Sequence, residues 1–340
     1  MISRNAVARW PLAPFSAAYG AAGWLRRAAY RSGLLHQARL AGPVISVGNL
    51  SVGGSGKTPV VAAIARLLRE AGHPVAILSR GYRGSFDGEA LIVSDGERVS
   101  ADAALAGDEP VMLARDLPGV VVAVGPCRDR VGLIVEWRLG ARVHVLDDGF
   151  QHLRLARDLD LVLVAPEDLD DRPLPAGRLR EFSSALRHAQ ALLVSGGEQC
   201  VQRVGQRFGG LPVFAVDRQV LGLFDEKGQP QAAPARPFAF CGIARPERFL
   251  SDLTAKVPEC AGQSLFRDHH AYSADEMGAL VRQARACGAD ALVTTAKDAV
   301  RLPSMDLDLP LLILKISVMV EPADEFRRLV LAKAQRRAEP

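Results

Sequence analysis

The stretch GNLSVGGSGKTP (48–59) grows out of an apolar, β-branched run, PVISVGN (43–49), and leads into VVAAIARLLREAG (60–72). The first run fits a strand buried on both faces. The second repeats its apolar residues at helical spacing and stops at Gly72. A glycine-rich loop between a strand and a helix commits the chain to an α/β architecture and to gripping phosphate. The loop matches GxxxxGK(S/T) from Ser51 to Thr58, with Ser51 where the first glycine is expected. Gly53, Gly54 and Gly56 let backbone N–H groups turn inward around phosphate oxygens. Ser51, Val52 and Ser55 complete the expected nucleotide cradle. Lys57 is expected to reach the β- and γ-phosphates, and Thr58 to ligate Mg²⁺. Pro59 lacks an N–H, but the first turn of a helix needs none there.

A second acidic station follows in RVHVLDDGFQH (142–152), where an apolar strand ends in Asp147 and Asp148. Carboxylates at the end of a neighbouring strand are where P-loop proteins hold Mg²⁺. A solvated Asp-Gly turn is the plainer alternative. Strand-like runs recur at PVAILS (74–79), VVVAVG (120–125), LDLVLVAP (159–166) and ALLVSG (191–196), with helical stretches between most of them. The pattern is that of a doubly wound sheet with its site at the carboxyl ends of the strands. Arginines gather after such strands in SRGYRG (79–84), GPCRDR (125–130) and PLPAGRLRE (173–181), where they are placed to clamp phosphates.

A proline- and alanine-rich connector with an Glu-Lys-Gly turn, RQVLGLFDEKGQPQAAPARP (218–237), divides the chain. Residues 43–217 then form a P-loop domain and 238–330 a smaller α/β domain. FAFCGIARPERF (238–249) lacks the GxGxxG spacing of a dinucleotide site. FRDHHAYS (266–273) offers His269 and His270 either as metal ligands without an obvious third partner or as a proton-handling group facing the P-loop. TAKD (295–298) approaches a guanine-reading NKxD loop, but its lysine is one place out of register.

Composition limits the partners. The net charge is +4, yet residues 1–42 carry Arg4, Arg9, Arg26, Arg27, Arg31 and Arg39, and the first acidic residue is Glu70. The uncharged run WPLAPFSAAYGAAGWL (10–25) is too short to span a bilayer and contains Pro11 and Pro14. Trp10, Phe15, Tyr19, Trp24 and Leu25 are expected on one helical stripe. Aromatics beside arginines suit a helix lying on anionic lipid; a helix packed on the protein's own core, with its arginines in water, is the alternative. The scattered cysteines Cys127, Cys200, Cys241, Cys260 and Cys287 form no CxxC pair, which points to a reducing compartment. Neither a nucleic acid nor an obligate protein partner is expected.

Taken in order, GNLSVGGSGKTP, SRGYRG, GDEP (107–110), DDGFQH (147–152), PAGRLRE (175–181), FRDHH (266–270) and TTAKD (294–298) resemble the tetraacyldisaccharide 4'-kinase family, the lipid A 4'-kinases, over nearly the whole chain. Ser55 departs mildly, since many members have threonine there. The resemblance implies two α/β/α domains joined by a short hairpin linker, with an N-terminal helix on the cytoplasmic face of the inner membrane. It implies transfer of phosphate from ATP, with Mg²⁺, to the 4'-hydroxyl of a tetraacylated glucosamine disaccharide 1-phosphate. By motif it makes Asp108 the acceptor of the sugar proton and His269 its orienting partner. Asp147 and Asp148 would position Mg²⁺, and Arg128, Arg180 and Glu181 would be polar active-site groups. The competing class is a nucleotide switch or metallochaperone-type NTPase; a peripheral ATPase that moves a partner is a third.

Overall fold

The structure is a computed structural model that describes residues 10–53, 56–257 and 259–335. Among these residues, thirteen strands join one sheet. They are β1 (Val44–Asn49), β2 (Val75–Ser79), β3 (Leu91–Ser94), β4 (Val121–Val124), β5 (Val143–Asp147), β6 (Leu159–Val164) and β7 (Ala191–Val194). The series continues with β8 (Val213–Phe224), β9 (Pro230–Gln231), β10 (Pro237–Cys241), β11 (Gly262–Leu265), β12 (Ala291–Thr295) and β13 (Leu311–Glu321). The order is β11-β10-β12-β13-β8-β7-β6-β1-β5-β2-β4-β3, with β9 paired to β8.

Two parallel blocks meet along an antiparallel seam. β4, β2, β5, β1, β6, β7 and β8 run parallel, as do β11, β10, β12 and β13, while β8 and β13 run antiparallel from Ala215↔Glu321 to Phe224↔Ile313. Along β8, β7 pairs only with Val213, Phe214 and Ala215, and along β13, β12 pairs only with Leu311 to Leu314. The blocks therefore hang from opposite ends of a two-stranded ribbon. The hairpin read over 218–237 is a minor part of this junction. β8 begins before it, and β9 adds only the pairs Leu223↔Gln231 and Phe224↔Pro230.

Strand β1 is buried along its whole length, as a central parallel strand must be. The helices that matter for the site are α1 (Ala13–Arg31), α2 (Lys57–Glu70), α3 (Asp108–Asp116), α4 (Arg128–Leu139) and α5 (Ala323–Gln335). Val60, Val61, Ile64, Ala65 and Leu68 form the buried stripe of α2 and pack with Phe214, Phe326 and Val330 in the largest core cluster. α5 thus returns the end of the chain to the P-loop helix, which fixes α2 from both the sheet and the solvent side.

Helix α1 is built the other way round from an ordinary surface helix. It buries Ser16, Gly20 and Arg27, while Phe15 is 67 % exposed, Trp24 57 % and Leu25 60 %. Small residues allow the approach: a Cβ on Gly20 would meet the Phe182 ring at 2.5 Å. The expected single stripe is not formed, because at about 100° per residue Phe15 and Trp24 point to opposite flanks. The apolar surface is instead a broad outward arc. Trp10 begins a short 3₁₀ turn, Trp10–Leu12. Nor are the arginines all in water: Arg27 is buried against the body of the protein.

Candidate active site

The P-loop leaves β1 at Asn49, whose amide donates to the Ser51 carbonyl at 2.7 Å. Its first arm is held by the 178–181 segment through Val52 N to Arg178 O (2.8 Å) and Arg180 N to Leu50 O (2.7 Å). Ser51 is buried and its hydroxyl donates to Asp168 at 3.2 Å. This explains the departure from glycine: the side chain points into structure, not toward phosphate. Gly53 (φ 110°) and Gly56 (φ 79°) occupy the left-handed region that the loop requires. Gly54 and Ser55 lie outside the described residues. Gly56 caps α2, so Lys57 and Thr58 are its first two residues.

Gly48 shows how tightly the acidic station abuts this loop. A Cβ there would lie 2.5 Å from Cβ of Phe150 and 2.8 Å from its backbone nitrogen. Asp147 ends β5 beside Val47 of β1. Its Oδ2 accepts from the Ser79 hydroxyl at 3.2 Å, while the buried Oδ1 has no hydrogen-bond partner. Burial, reinforced by the nearby Glu109 carboxylate, pushes its pKa up to about 7. Asp148 behaves oppositely. Burial would raise it, but Lys57 and Arg180 outweigh that and hold it below the usual carboxylate range. The Lys57 ammonium is 3.3 Å from Asp148 and donates to Asn49 Oδ1 at 2.9 Å; Arg180 reaches Asp148 at 2.7 Å. Arg128, first residue of α4, is buried nearby with an unpartnered Nε.

The second cluster joins the two blocks of the sheet. Asp108 opens α3 after Gly107, which has φ 91° and would carry a Cβ only 2.6 Å from the Tyr82 carbonyl. Asp108 Oδ2 lies 2.7 Å from His269 Nδ1 and 3.6 Å from Arg301 Nε. His269 Nε2 lies 3.3 Å from the Lys297 ammonium. A lysine ammonium can only donate, so a bond from Lys297 to Nε2 leaves the ring N–H at Nδ1, directed at Asp108; the Asp268 carboxylate also stands 3.6 Å from Nε2. Lys297 also sits 3.6 Å from Glu109, the carboxylate that acts on Asp147, so the two clusters are neighbours.

Arg301 is locked in place. It donates to the carbonyls of Gly242, His270 and Lys297 and, at 2.6 Å, to Asp298. Fully buried Asp298 also accepts from Gly242 N, Tyr272 and Thr295. TAKD is thus no guanine reader: its lysine meets His269 and its aspartate holds the Arg301 strut. His270, weighed as a metal ligand with His269, instead pairs with Glu276 at 3.2 Å and stacks on Phe266. Among the described residues no group of three or more His, Cys, Asp or Glu is placed to hold a metal ion.

Among the described residues, the non-glycine positions with positive φ are Arg83 (65°), Asp148 (54°) and His269 (62°). All three lie inside the motifs SRGYRG, DDGFQH and FRDHH, and strained backbone concentrates where a side chain must be aimed.

Glu181 is not part of either cluster. Both of its oxygens accept from Arg27 of α1, at 2.9 and 2.8 Å, and Arg27 stacks over Phe150 with 4.4 Å to the ring centroid. Sequence reading passed over Asn49, had Arg27 only as one of the basic N-terminal residues and Lys297 only as the lysine of TAKD, and did not single out Arg301. For the last two the only local signal was a polar turn at a strand end, the same signal that marked Asp147.

A family model described as tetraacyldisaccharide-1-P 4'-kinase matches residues 8–335. The chain is 42 % identical over 317 residues to a tetraacyldisaccharide 4'-kinase of Desulfotalea psychrophila, covering 89 % of each. It is 43 % identical over 300 residues to one from Geobacter metallireducens, covering 86 % of this chain and 88 % of the relative. The fold is similar to that of LpxK from Aquifex aeolicus, solved in complex with ATP: TM-score 0.80, 34 % identity, 96 % of this chain and 99 % of that one. With its P-loop, acidic station and Asp–His pair in this order on this sheet, the chain belongs to the tetraacyldisaccharide-1-P 4'-kinase family.

Proposed function

We propose that the protein binds ATP on the Gly53–Thr58 loop and transfers its γ-phosphoryl group to the 4'-hydroxyl of an acylated glucosamine disaccharide 1-phosphate. The observation that carries this reading is the Asp108–His269 hydrogen bond of 2.7 Å, set beside a P-loop whose lysine is already aimed by Asp148.

Phosphoryl transfer is limited by positioning and charge neutralisation, not by covalent help. Lys57, Arg128 and Arg180 supply positive charge around the phosphates. Asp108 accepts the acceptor hydroxyl's proton as the oxygen attacks the γ-phosphorus and the bond to the β-phosphate oxygen breaks. His269, its Nδ1–H on Asp108, orients that carboxylate; Arg301 holds it from the second side. Lys297, between His269 and Glu109, fixes the imidazole tautomer. Asp147 and Thr58 fit Mg²⁺: a buried carboxylate oxygen without a partner and a hydroxyl at the helix start are hard oxygen ligands of the kind that ion takes beside phosphate and water. When bound, Mg²⁺ would neutralise charge developing on the β- and γ-phosphate oxygens. Asp148, committed to Lys57 and Arg180, would position the cation-rich wall.

The two regions 43–217 and 238–330 act as donor and acceptor halves, with the Asp108–His269 contact as their meeting point. No described helix is long and apolar enough to cross a membrane. The outward apolar arc of α1, flanked by Arg26 and Arg31, supports a peripheral seat on the cytoplasmic face of the inner membrane, where the lipid substrate lies.

The test is transfer of label from γ-labelled ATP to the disaccharide 1-phosphate lipid in detergent with Mg²⁺. Label should appear on the lipid, and Asp108→Ala should abolish most of it while ATP binding persists. ATP binding without any transfer by the unaltered protein would instead favour a nucleotide switch.

A further inference from the structure

Beneath the C-terminal half of α1 lie two adjoining hollows that the kinase chemistry does not use. The first, about 320 Å³, is lined by Arg27, Arg31, Arg157, Arg187 and His188 and by no carboxylate. Arg27 is neutralised by Glu181 and Arg157 by Asp160 at 2.9 Å. Arg31 and Arg187 have no carboxylate partner among the described residues: Arg31 meets the His188 ring, and Arg187 lies over Phe208. Burial, with Arg31 and Arg27 beside it, pushes His188 below its ordinary pKa, which favours the uncharged ring that can accept from Arg31.

The second hollow, about 230 Å³, shares Arg27, Arg187 and His188 with the first and is walled by Trp24, Phe182, Ser184 and Ala185 and by Glu181, whose carboxylate is taken up by Arg27 at 2.8 Å. A doubly cationic cup opening beside an aromatic slot matches one kind of ligand, an anion attached to an alkyl chain. Two arginines facing one cup favour phosphate, whose geometry their planar forks complement. Trp24, exposed on the membrane-facing arc of α1, marks where the chain would leave toward the bilayer.

We propose that these hollows form a lipid-phosphate site, separate from the nucleotide loop, with the phosphate between Arg31 and Arg187 and the chain along Trp24 and Phe182. It rests on the peripheral seat proposed for α1. Two lipids share this chemistry: an anionic glycerophospholipid of the bilayer and the substrate through its own phosphate.

The experiment uses the full chain, the double variant Arg31→Gln/Arg187→Gln, and a charge-matched control, Arg327→Gln/Arg328→Gln, on the exposed face of α5. Binding is measured to phosphatidylcholine vesicles alone, doped with phosphatidate, or doped with fatty acid to equal charge; KM and kcat are measured with substrate in non-ionic detergent. The site variant should bind phosphatidate vesicles about tenfold more weakly than the unaltered protein, with neutral-vesicle binding, melting temperature and kcat unchanged. That loss with an unchanged KM assigns the site to bilayer phospholipid. A KM raised about tenfold at constant kcat assigns it to the substrate's phosphate. If neither changes, or if the control variant or the fatty-acid vesicles show the same loss, the proposal is wrong. Absent neutral-vesicle binding by the unaltered protein would overturn the membrane seat instead, and the detergent arm would still report on the site.

Discussion

His269 Nδ1 and Asp108 Oδ2 are 2.7 Å apart although the residues are separated by 161 positions and belong to opposite ends of the β8–β13 ribbon. The pair rests on rigid supports on both sides: α3 starts at Asp108, and Arg301 reaches Asp108 from a network of buried acceptors. His269→Ala should therefore lower kcat by about 10²–10³-fold, the range of a positioned acid–base partner, with the Kd for ATP almost unchanged. Arg301→Lys keeps the charge but loses the fork, and should lower kcat with little change in KM. Steady-state kinetics beside ATP titration checks both; a fall in ATP affinity equal to the fall in kcat would remove these residues from the acceptor side.

Asp147 gives a stability signature free of turnover. Its folded pKa is raised, to about 7, above the unfolded value of 3.8. The folded state therefore binds its proton more tightly, and the cost of ionising the buried carboxylate appears as pH rises from about 4 to about 7 and is complete above that. In chelator and without nucleotide, the melting-temperature gain of Asp147→Asn over the unaltered protein should be smallest near pH 4 and grow until about pH 7. Melting curves across that range decide; a gap that stays constant with pH would mean the carboxylate is not held protonated.

The Arg27–Glu181 pair ties α1 to the segment that clamps the P-loop, with side chains only 5 % and 7 % exposed. Removing one partner leaves a buried charge, so Arg27→Met should destabilise by about 3–5 kcal/mol. Replacing both, Arg27→Met/Glu181→Leu, should cost markedly less than the two single changes added together. Denaturant melts of the four proteins measure the coupling, and additive losses would show that the pair is not the anchor.

On the outer arc of α1, Phe15, Tyr19 and Leu25 are 67 %, 45 % and 60 % exposed. Phe15→Ser/Tyr19→Ser/Leu25→Ser should leave the melting temperature within about a degree or two, since surface changes rarely exceed 0.5 kcal/mol. The same variant should lose most vesicle binding. Added salt should weaken the residual, arginine-driven part, because the Debye length shrinks to about 8 Å at physiological ionic strength. Sedimentation with liposomes reads both effects.

The parallel block around β1 was legible because each strand buries both faces, which writes a continuous apolar run before a polar turn. The P-loop was legible for the same reason, together with its glycines. β8 was not read to its full length: apart from buried Leu223, its residues past Val216 are partly or fully exposed and mixed in polarity, as suits a ribbon. Its partner β13 lies far away in sequence, and antiparallel register of that kind leaves no local mark. Asp108 and His269 emerged by motif, but Lys297 was weighed as a base reader, since a lysine at a strand end looks alike in both settings. Arg27 and Glu181 were each legible as charges and not as a pair, because burial across 154 positions is set by packing.

The placement of β13 also sets an order of assembly. It is the last of the described strands to be made, yet it fills a central position between β12 and β8. Until residues 311–321 leave the ribosome, β8 and β12 each present an open edge, and α5 has not yet covered the P-loop helix. The nascent chain must therefore keep the β8 edge open from residue 224 onward and, once β12 is complete at residue 295, hold two sticky borders apart until β13 arrives. C-terminal truncation should turn it from an enzyme into an aggregation-prone client of chaperones.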